Sequence, residues 1–217
     1  TTIKNKKNFV LEDHAYFLIN YNQKVIPLNM NYIYLQYVRT KAYWLNWSAK
    51  TYKIKCFQAD VERSLLVLKL LTYEKTGALL AALTTSLPET IGEERNWDYR
   101  FCWIRDAAMT ASVFNKLGHH YLAENFIQFI LNRAPLKNEE IQIMYDINGN
   151  CDIKEKELLH LKGFKNSTPV RIGNAAYIQK QFDIYGFLMD IIYSSITLHP
   201  NNLDKVEHLW TMVRNII

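Results

Sequence analysis

The chain has 217 residues, of which 49% are hydrophobic and 22% are charged, and its formal net charge is +5. This apolar content is enough for a sizeable core, so the composition excludes a disordered chain. The basic residues are spread along the sequence, and the densest run, Lys4 to Lys7, is too thin for a nucleic-acid face. Apolar stretches such as Leu65 to Leu71 are interrupted by Lys69 and are too short to span a membrane. We therefore expect no nucleic-acid partner and no membrane partner.

Cysteine usage and the N-terminus both bear on the cellular compartment. Cys56, Cys102 and Cys151 lie far apart and form no CxxC motif, which favours a reducing environment. The first residues, TTIKNKKNF, are not followed by an apolar run with a small-residue cleavage site, so no secretory signal is visible. These features predict a soluble, cytoplasmic protein.

The first part of the chain has a composition typical of strands. Residues 9–37 are rich in β-branched and aromatic types and contain Asn-bearing turns at 20–23 and 29–31, which predicts short strands. In the next segment, residues 40–52, Trp44 and Trp47 are three positions apart and would share a face if the segment is helical. We expect both rings to pack in the core.

From Ala59 onward the pattern is nearly all helical. Gly77 ends a short connection after the first helix, and residues 78–87 fit either a buried strand or a helix end. Gly118 is a good C-terminal signal for one helix, and Pro135 limits the next. The predicted helices cover 59–72, 107–117, 119–133 (inner face Tyr121, Phe126, Phe129 and Ile130), 174–198 and 202–217, with a loop at 138–169.

Two polar groups are candidates for metal binding. The segment from Asp146 to Asp152 has the spacing of a calcium loop, but Cys151 occupies the sixth position, where such a loop needs glycine. A tight polar turn is the favoured interpretation. His119 and His120 are adjacent and cannot share one helix face, so we interpret them as surface or capping residues. The sequence therefore predicts no metal site and no cofactor.

Residues 84–106, TTSLPETIGEERNWDYRFCWIRD, combine aromatic rings with arginines and carboxylates. A sugar ring offers C–H faces that stack on aromatic rings and hydroxyls that bind arginine and carboxylate groups, so this mixture suits a sugar site. The spacing identifies no acid–base pair among the nearby carboxylates. Those candidates are Glu89, Glu93, Glu94, Asp98 and Asp106.

Residues 77–107, GALLAALTTSLPETIGEERNWDYRFCWIRDA, resemble a signature of glycoside hydrolase family 15, which includes glucoamylases, glucodextranases and certain trehalases. VERSLLVLKLL before this stretch and TPVRIGNAAYIQKQFDIYG after it are similar to the same family. The resemblance implies a mainly α fold, a partial (α/α)6 toroid of helical hairpins preceded by a short β segment. The implied domains are a β-sandwich remnant at 1–39, a linker at 40–58 and the first part of the glycosidase domain at 59–217.

The resemblance also implies a function. It points to an inverting, exo-acting, glucoamylase-like hydrolase that releases glucose from an α-glucan or an α-glucosyl disaccharide. The family's acid and base glutamates lie later in the barrel than the matched motifs, so no residue here inherits a catalytic role and we expect the chain alone to be inactive. The alternative is a truncated, non-catalytic fragment that keeps part of the sugar pocket. The implied substrate-binding residues are Tyr99, Trp103, Arg105, Asp106, Arg171 and Asn174.

An incomplete toroid would leave apolar side chains near the C-terminus without partners. The residues concerned are Leu209, Trp210, Val213 and Ile217. Such a patch promotes association. We therefore expect self-association or pairing with the missing half of the barrel.

Overall fold

The computed structural model describes residues 18–19, 21–22, 24, 29–133, 141–198 and 203–216. The chain separates into two compact units, Thr1–Leu45 and Asn46–Ile217. The described residues are mainly α-helical, which confirms the predicted fold class. Their helices are α1 (Met30–Ala49), α2 (Gln58–Leu70), α3 (Ile104–Lys116), α4 (His120–Arg133), α5 (Asp183–Leu198) and α6 (Leu203–Ile216), with 3-10 turns at Phe164–Asn166 and Ala175–Ile178.

The strands of the second unit are two residues long and pair as small antiparallel sheets. They are β1 (Thr72–Tyr73), β2 (Ala78–Leu79), β3 (Cys102–Trp103), β4 (Met144–Tyr145), β5 (Lys156–Glu157) and β6 (Arg171–Ile172). β1 pairs with β2, β3 with β4, and β5 with β6. The β3–β4 pairing joins the α2–α3 connection to the α4–α5 connection, whereas β5 and β6 both lie within the α4–α5 connection.

Helix α1 corrects the strand prediction for residues 31–38. The Asn29 side chain accepts a hydrogen bond from the Tyr32 backbone N–H at 2.8 Å, so it caps the N-terminus of the helix. That cap and the helical continuation to Ala49 outweigh the strand preference of the aromatic residues. Most of residues 9–28 lie outside the described residues.

Helix α3 lies at the centre of the second unit and packs against both α4 and α5. Its buried face is rich in alanine, which lets neighbouring helices approach closely. Larger side chains from the neighbours fill the remaining space, and each stabilises the fold by about 2 kcal/mol. The fully buried large residues of these helices include Phe114, Phe126, Phe129, Leu188, Ile191 and Ile192.

The connection between α3 and α4 follows the predicted signals. Gly118 has a φ of +91°, and a Cβ there would lie 2.7 Å from the Tyr52 ring. Glycine therefore both permits the backbone conformation and leaves room for that ring. In α4 the predicted inner residues Phe126, Phe129 and Ile130 are buried. Tyr121 is 46% exposed, so its assignment to the inner face is wrong.

The last turn of α1 and the residues that follow it contact the start of α4 through aromatic and polar groups. Trp47 is buried, as predicted, and its indole Nε1–H donates to the Tyr121 hydroxyl at 2.9 Å. His119 is buried as well, so the prediction of a surface or capping histidine is wrong for this residue. Its ring stacks on Trp47 at a centroid distance of 4.0 Å, and its Nε2 lies 2.9 Å from Thr51 Oγ1. Stacking and this hydrogen bond make burial of the imidazole favourable.

The predicted helix at 174–198 is shorter than expected. Asn174 Oδ1 accepts from the Ala176 N–H at 3.0 Å and starts a 3-10 turn, which ends when Gln179 adopts an extended conformation. Helix α5 then begins at Asp183. The local cap and the extended residue therefore delay the long helix.

Helix α6 confirms the predicted C-terminal helix but corrects the expectation about its apolar residues. Leu209 and Val213 are buried, because α6 packs against α4 and α5. Trp210 is 58% exposed. Ile217 and the predicted break at 199–202 lie outside the described residues.

The segment from Asp146 forms the polar turn favoured by the sequence. Asp146 Oδ1 accepts from the backbone N–H groups of Asn148 and Asn150, at 2.7 and 3.0 Å. Asp146 Oδ2 accepts from the Asn150 side chain at 2.7 Å. The carboxylate thus closes its own turn.

Candidate functional site

Strand β3 positions the aromatic and charged residues around the start of α3. Trp103 pairs with Met144 across the β3–β4 sheet, and α3 begins at the next residue. The Ile104 N–H donates to the Ile143 carbonyl at 2.9 Å, which fixes the helix start. Arg105 and Asp106 therefore lie in the first turn of α3, where the helix dipole favours a carboxylate.

Arg105 joins the starts of α3 and α5. Its Nη1 donates to Gln181 Oε1 at 3.1 Å and to Asp183 Oδ2 at 3.0 Å, while Nη2 lies 3.6 Å from Asp106 Oδ2. The side chains of Arg105 and Asp106 are 35% and 48% exposed. The charged groups are within reach of a ligand. We define the open cluster as Tyr99, Trp103, Arg105, Asp106, Gln181 and Asp183.

Tyr99 and Trp103 add aromatic surface to the open cluster. Burial, together with the negative charges of Glu89 and Asp106, raises the pKa of Tyr99, so its hydroxyl stays protonated and can donate. The dependence on Asp106 also shows that the phenol lies within electrostatic reach of this carboxylate. Trp103 is half-buried, and its indole N–H has no hydrogen-bond acceptor in the described part of the chain.

Gln181 also lines a cleft of about 230 Å³. The cleft walls come from the residues just before β4 and from the residues around the start of α5. They are Ile141, Gln142, Ile143, Ile178, Gln179, Lys180, Gln181, Phe182, Ile184 and Tyr185. Because Gln181 binds Arg105, this cleft adjoins the open cluster.

Asp98 is fully buried although it is only eight positions before Asp106 in the sequence. Its Oδ1 accepts from the Arg100 Nε and backbone N–H at 2.9 and 3.2 Å, and its Oδ2 accepts from Arg100 Nη2 at 2.8 Å. Oδ2 also accepts from the Gly173 N–H at 3.1 Å, and the Asp98 carbonyl accepts from Asn174 Nδ2 at 3.1 Å. This carboxylate connects two loops and leaves no open face for a ligand.

Arg171 belongs to the same buried region. Its guanidinium lies 4.7 Å from the centre of the Trp97 ring, and Nη1 donates to the Glu94 carbonyl at 2.6 Å. Nε is 3.3 Å from Glu155 Oε1 without hydrogen-bond alignment, and Nη2 is 3.6 Å from Glu157 Oε1. We define the buried cluster as Asp98, Arg171 and Asn174. Arg100, which binds Asp98, has a side chain that is 43% exposed.

The structure thus divides the six sequence-derived site residues. Tyr99, Trp103, Arg105 and Asp106 lie in the open cluster, whereas Arg171 and Asn174 are buried and engaged by other parts of the protein. Sequence reasoning missed Gln181 and Asp183. Both lie in the family-like segment TPVRIGNAAYIQKQFDIYG, but nothing in their spacing indicates a contact with Arg105.

The other acidic candidates are near the surface. Glu89 and Glu93 pair with Arg95 at 3.3 and 3.5 Å, and all three side chains are about half exposed. Such pairs are weak in water. The arrangement that remains for chemistry is the open cluster, whose donors, acceptor and aromatic rings can bind a polyhydroxylated ring.

Comparison with known proteins assigns the chain to a family. The sequence model described as "Glycosyl hydrolases family 15" matches residues 57–217. The chain therefore belongs to glycosyl hydrolase family 15. No solved structure matches the chain.

Several curated relatives are named trehalases. The chain is 42% identical over 182 residues to "Trehalase" of Mycolicibacterium smegmatis, covering 82% of this chain and 27% of the relative. It is 40% identical over 188 residues to "Trehalase" of Thermoplasma volcanium, covering 82% and 30%. It is 39% identical over 146 residues to "Trehalase 1" of Sulfolobus acidocaldarius, covering 64% and 26%. The chain thus spans between a quarter and a third of the length of these relatives.

The helices were also compared with the requirements of a membrane span. Among the described residues, none of the helices is both long and apolar enough to cross a membrane.

Proposed function

We propose that this chain supplies the glucose-binding wall of a trehalase-like glycoside hydrolase that splits α,α-trehalose into two glucose molecules. The observation that carries the proposal is the 42% identity to a protein named trehalase over 82% of the chain. The open cluster lies within the matched range and has the chemistry that a glucose unit requires.

The open cluster can bind a glucose unit through two kinds of contact. Arg105 supplies directional donors and Asp106 supplies an acceptor, so together they suit neighbouring ring hydroxyls. Tyr99 and Trp103 offer aromatic faces to the C–H groups of the ring.

We propose a supporting role for Arg171 and Asn174. Asn174 binds the Asp98 carbonyl, and Arg171 is held by Glu94 and the Trp97 ring. These contacts hold the loop that carries both residues against the segment that ends in the open cluster. Their contribution to sugar binding is therefore indirect.

Hydrolysis with inversion needs a carboxylic acid and a carboxylate on opposite sides of the glycosidic bond. We assign neither role to the carboxylates of the two clusters. Asp98 is enclosed by Arg100 and Gly173, and Asp106 lies beside Arg105. For the 217-residue chain by itself we accordingly propose sugar binding without glucose release, which a coupled glucose assay on the purified chain would contradict by detecting turnover.

Activity of the full-length protein tests the substrate. We expect glucose release from α,α-trehalose with a kcat/KM at least about 10-fold above that for maltose, isomaltose or starch, a discrimination that substrate contacts can supply. Proton NMR of the first turnover products should show equal amounts of α- and β-glucose, because inversion changes only the attacked anomeric carbon. A preference for maltose or starch would instead establish the glucoamylase-like alternative, and inactivity on all four substrates would refute the proposal.

A substitution tests the site. Asp106→Asn should lower kcat/KM for trehalose about 100-fold, because the negative charge and one of the two acceptor oxygens that bind sugar hydroxyls are lost. The matched control is Asp190→Asn, which changes an exposed aspartate on α5. Equal kinetics for the two variants would remove Asp106 from the site.

The compartment is part of the same proposal. The three cysteines are unpaired, which suits a reducing environment, so we propose a cytoplasmic enzyme. Fractionation of cells that express the full-length protein checks this, and enrichment outside the cytoplasm would contradict it.

A further inference from the structure

We propose that Asp183 and Gln181, at the start of α5, are positioning residues that set the orientation of the Arg105 guanidinium in the sugar site. This inference rests on the proposed function of that site. It concerns residues that touch Arg105 rather than the sugar itself.

Arg105 is held by two acceptors from a distant part of the chain. Arg105 lies in the first turn of α3, and its two partners lie before and at the start of α5, a segment 76 to 78 residues further along the chain. Both acceptors bind the same nitrogen, Nη1, at 3.0 and 3.1 Å. Because Nη1 carries two hydrogens, this pair of contacts uses both of them and fixes the plane of the guanidinium.

Arg105 keeps three further N–H donors. Nε and Nη2 carry the other three N–H groups of Arg105, and Nη2 lies 3.6 Å from Asp106. With Nη1 held from α5, these N–H groups point in fixed directions within the plane of the guanidinium. Asp106 and a sugar hydroxyl can then be bound without the entropy loss of ordering a free arginine.

The contact between Arg105 and Asp183 can orient the guanidinium without adding much to the stability of the fold. The side chains of Arg105 and Asp183 are 35% and 46% exposed, so their ion pair adds little to folding. Asp183 also lies in the first turn of α5, where a carboxylate favours the helix N-terminus whether or not an arginine is present. A purely structural role would therefore be independent of Arg105, whereas a positioning role requires it.

A double-mutant cycle in the full-length protein makes this distinction. Asp183→Ala should raise KM for trehalose about 10-fold with a smaller change in kcat, and it should change the same parameter as Arg105→Ala. Asp183→Asn, which keeps an acceptor for Nη1, should recover part of the loss. In the Arg105→Ala background, Asp183→Ala should change KM less than about two-fold.

The controls cover folding and the neighbouring acceptor. Gln181→Ala should give a smaller rise in KM than Asp183→Ala, because its bond to Nη1 carries no opposite charge. Asp190→Ala on the exposed part of α5 should leave KM unchanged, and the melting temperature should be similar for all variants. Full additivity of the Arg105 and Asp183 substitutions would overturn the positioning role.

A crystal structure tests the inference without relying on activity. In Asp183→Ala, the Arg105 guanidinium should leave the orientation it has in the parent protein, and an unchanged guanidinium would overturn the inference. A parent protein that hydrolyses no α-glucoside would refute the proposed function alone. The structural comparison would still decide whether Asp183 orients Arg105.

Discussion

The buried and open clusters are built from the same residue types but differ in access to solvent. The Asp98 carboxylate is fully buried, whereas that of Asp106 is 48% exposed. The arginines differ less, since the side chain of Arg100, the partner of Asp98, is 43% exposed and that of Arg105 is 35% exposed. An arginine–aspartate pair therefore serves as scaffold in one place and as a ligand-binding candidate in the other.

The difference follows from how the polar groups are satisfied. A buried carboxylate must be hydrogen-bonded by the protein, and Asp98 obtains those bonds from Arg100 and Gly173. A ligand would have to replace bonds that already exist. Asp106 faces solvent, so a ligand hydroxyl would have to replace only water there.

The largest expected effect on stability comes from breaking the buried cluster. Asp98→Ala should lower the free energy of unfolding by about 2 kcal/mol, because Arg100 and the Gly173 N–H lose their shared acceptor. Urea and thermal unfolding measure the change. Asp106→Ala is the matched variant in the open cluster and should change stability by less than about 0.5 kcal/mol. Equal losses in the two variants would erase the distinction between the clusters.

A second prediction uses the glycine that binds Asp98. Gly173 has a φ of +76°, and a Cβ there would lie 2.0 Å from the Lys154 carbonyl oxygen. Gly173→Ala should therefore destabilise the fold by about 2 kcal/mol, since the loop must move away from Asp98. Thermal unfolding again gives the measurement.

The chain offers a matched control for this substitution. Gly186 lies in α5 with no heavy atom within 4 Å of its Cβ position, so Gly186→Ala should raise stability by up to about 1 kcal/mol. A Gly173→Ala variant as stable as its parent would show that the loop need not hold this conformation. The buried cluster would then not depend on it.

Several helices could be predicted because their signals are local. The spacing of Leu65 and its neighbours gives α2, and Gly118 marks the end of α3. The strand prediction for residues 31–38 failed because amino-acid preference competed with the Asn29 cap, and the cap determined the result. The delayed start of α5 has a similar origin in the turn at Asn174.

The site was predictable only in part, for a different physical reason. The residue types at Tyr99, Arg105 and Asp106, within one short segment, predict a sugar-binding site. The burial of Asp98 and the contact between Arg105 and Asp183 depend instead on how distant segments pack. No local pattern encodes that packing, so the sequence could not separate scaffold from binding residues.

Buried titratable groups differ in the charges around them, and this difference makes stability depend on pH. Asp98 contacts an opposite charge, whereas buried His119 lies near His120, Lys50 and Lys69. Burial and these positive charges lower the pKa of His119 below its ordinary value of 6.5. The imidazole is therefore neutral in the folded state at neutral pH.

The smallest expected effect is the resulting pH dependence of stability. Below about pH 6.5 the unfolded chain takes up a proton that folded His119 resists, so the unfolded state binds more protons. The contribution is fully present above that pH and is lost as the pH falls towards the lowered pKa. His119→Gln should flatten the fall in melting temperature between pH 6.5 and 5, whereas His160→Gln, at an exposed position, removes a histidine without touching the buried one. An identical slope in His119→Gln and its parent would show that the buried imidazole does not govern acid stability.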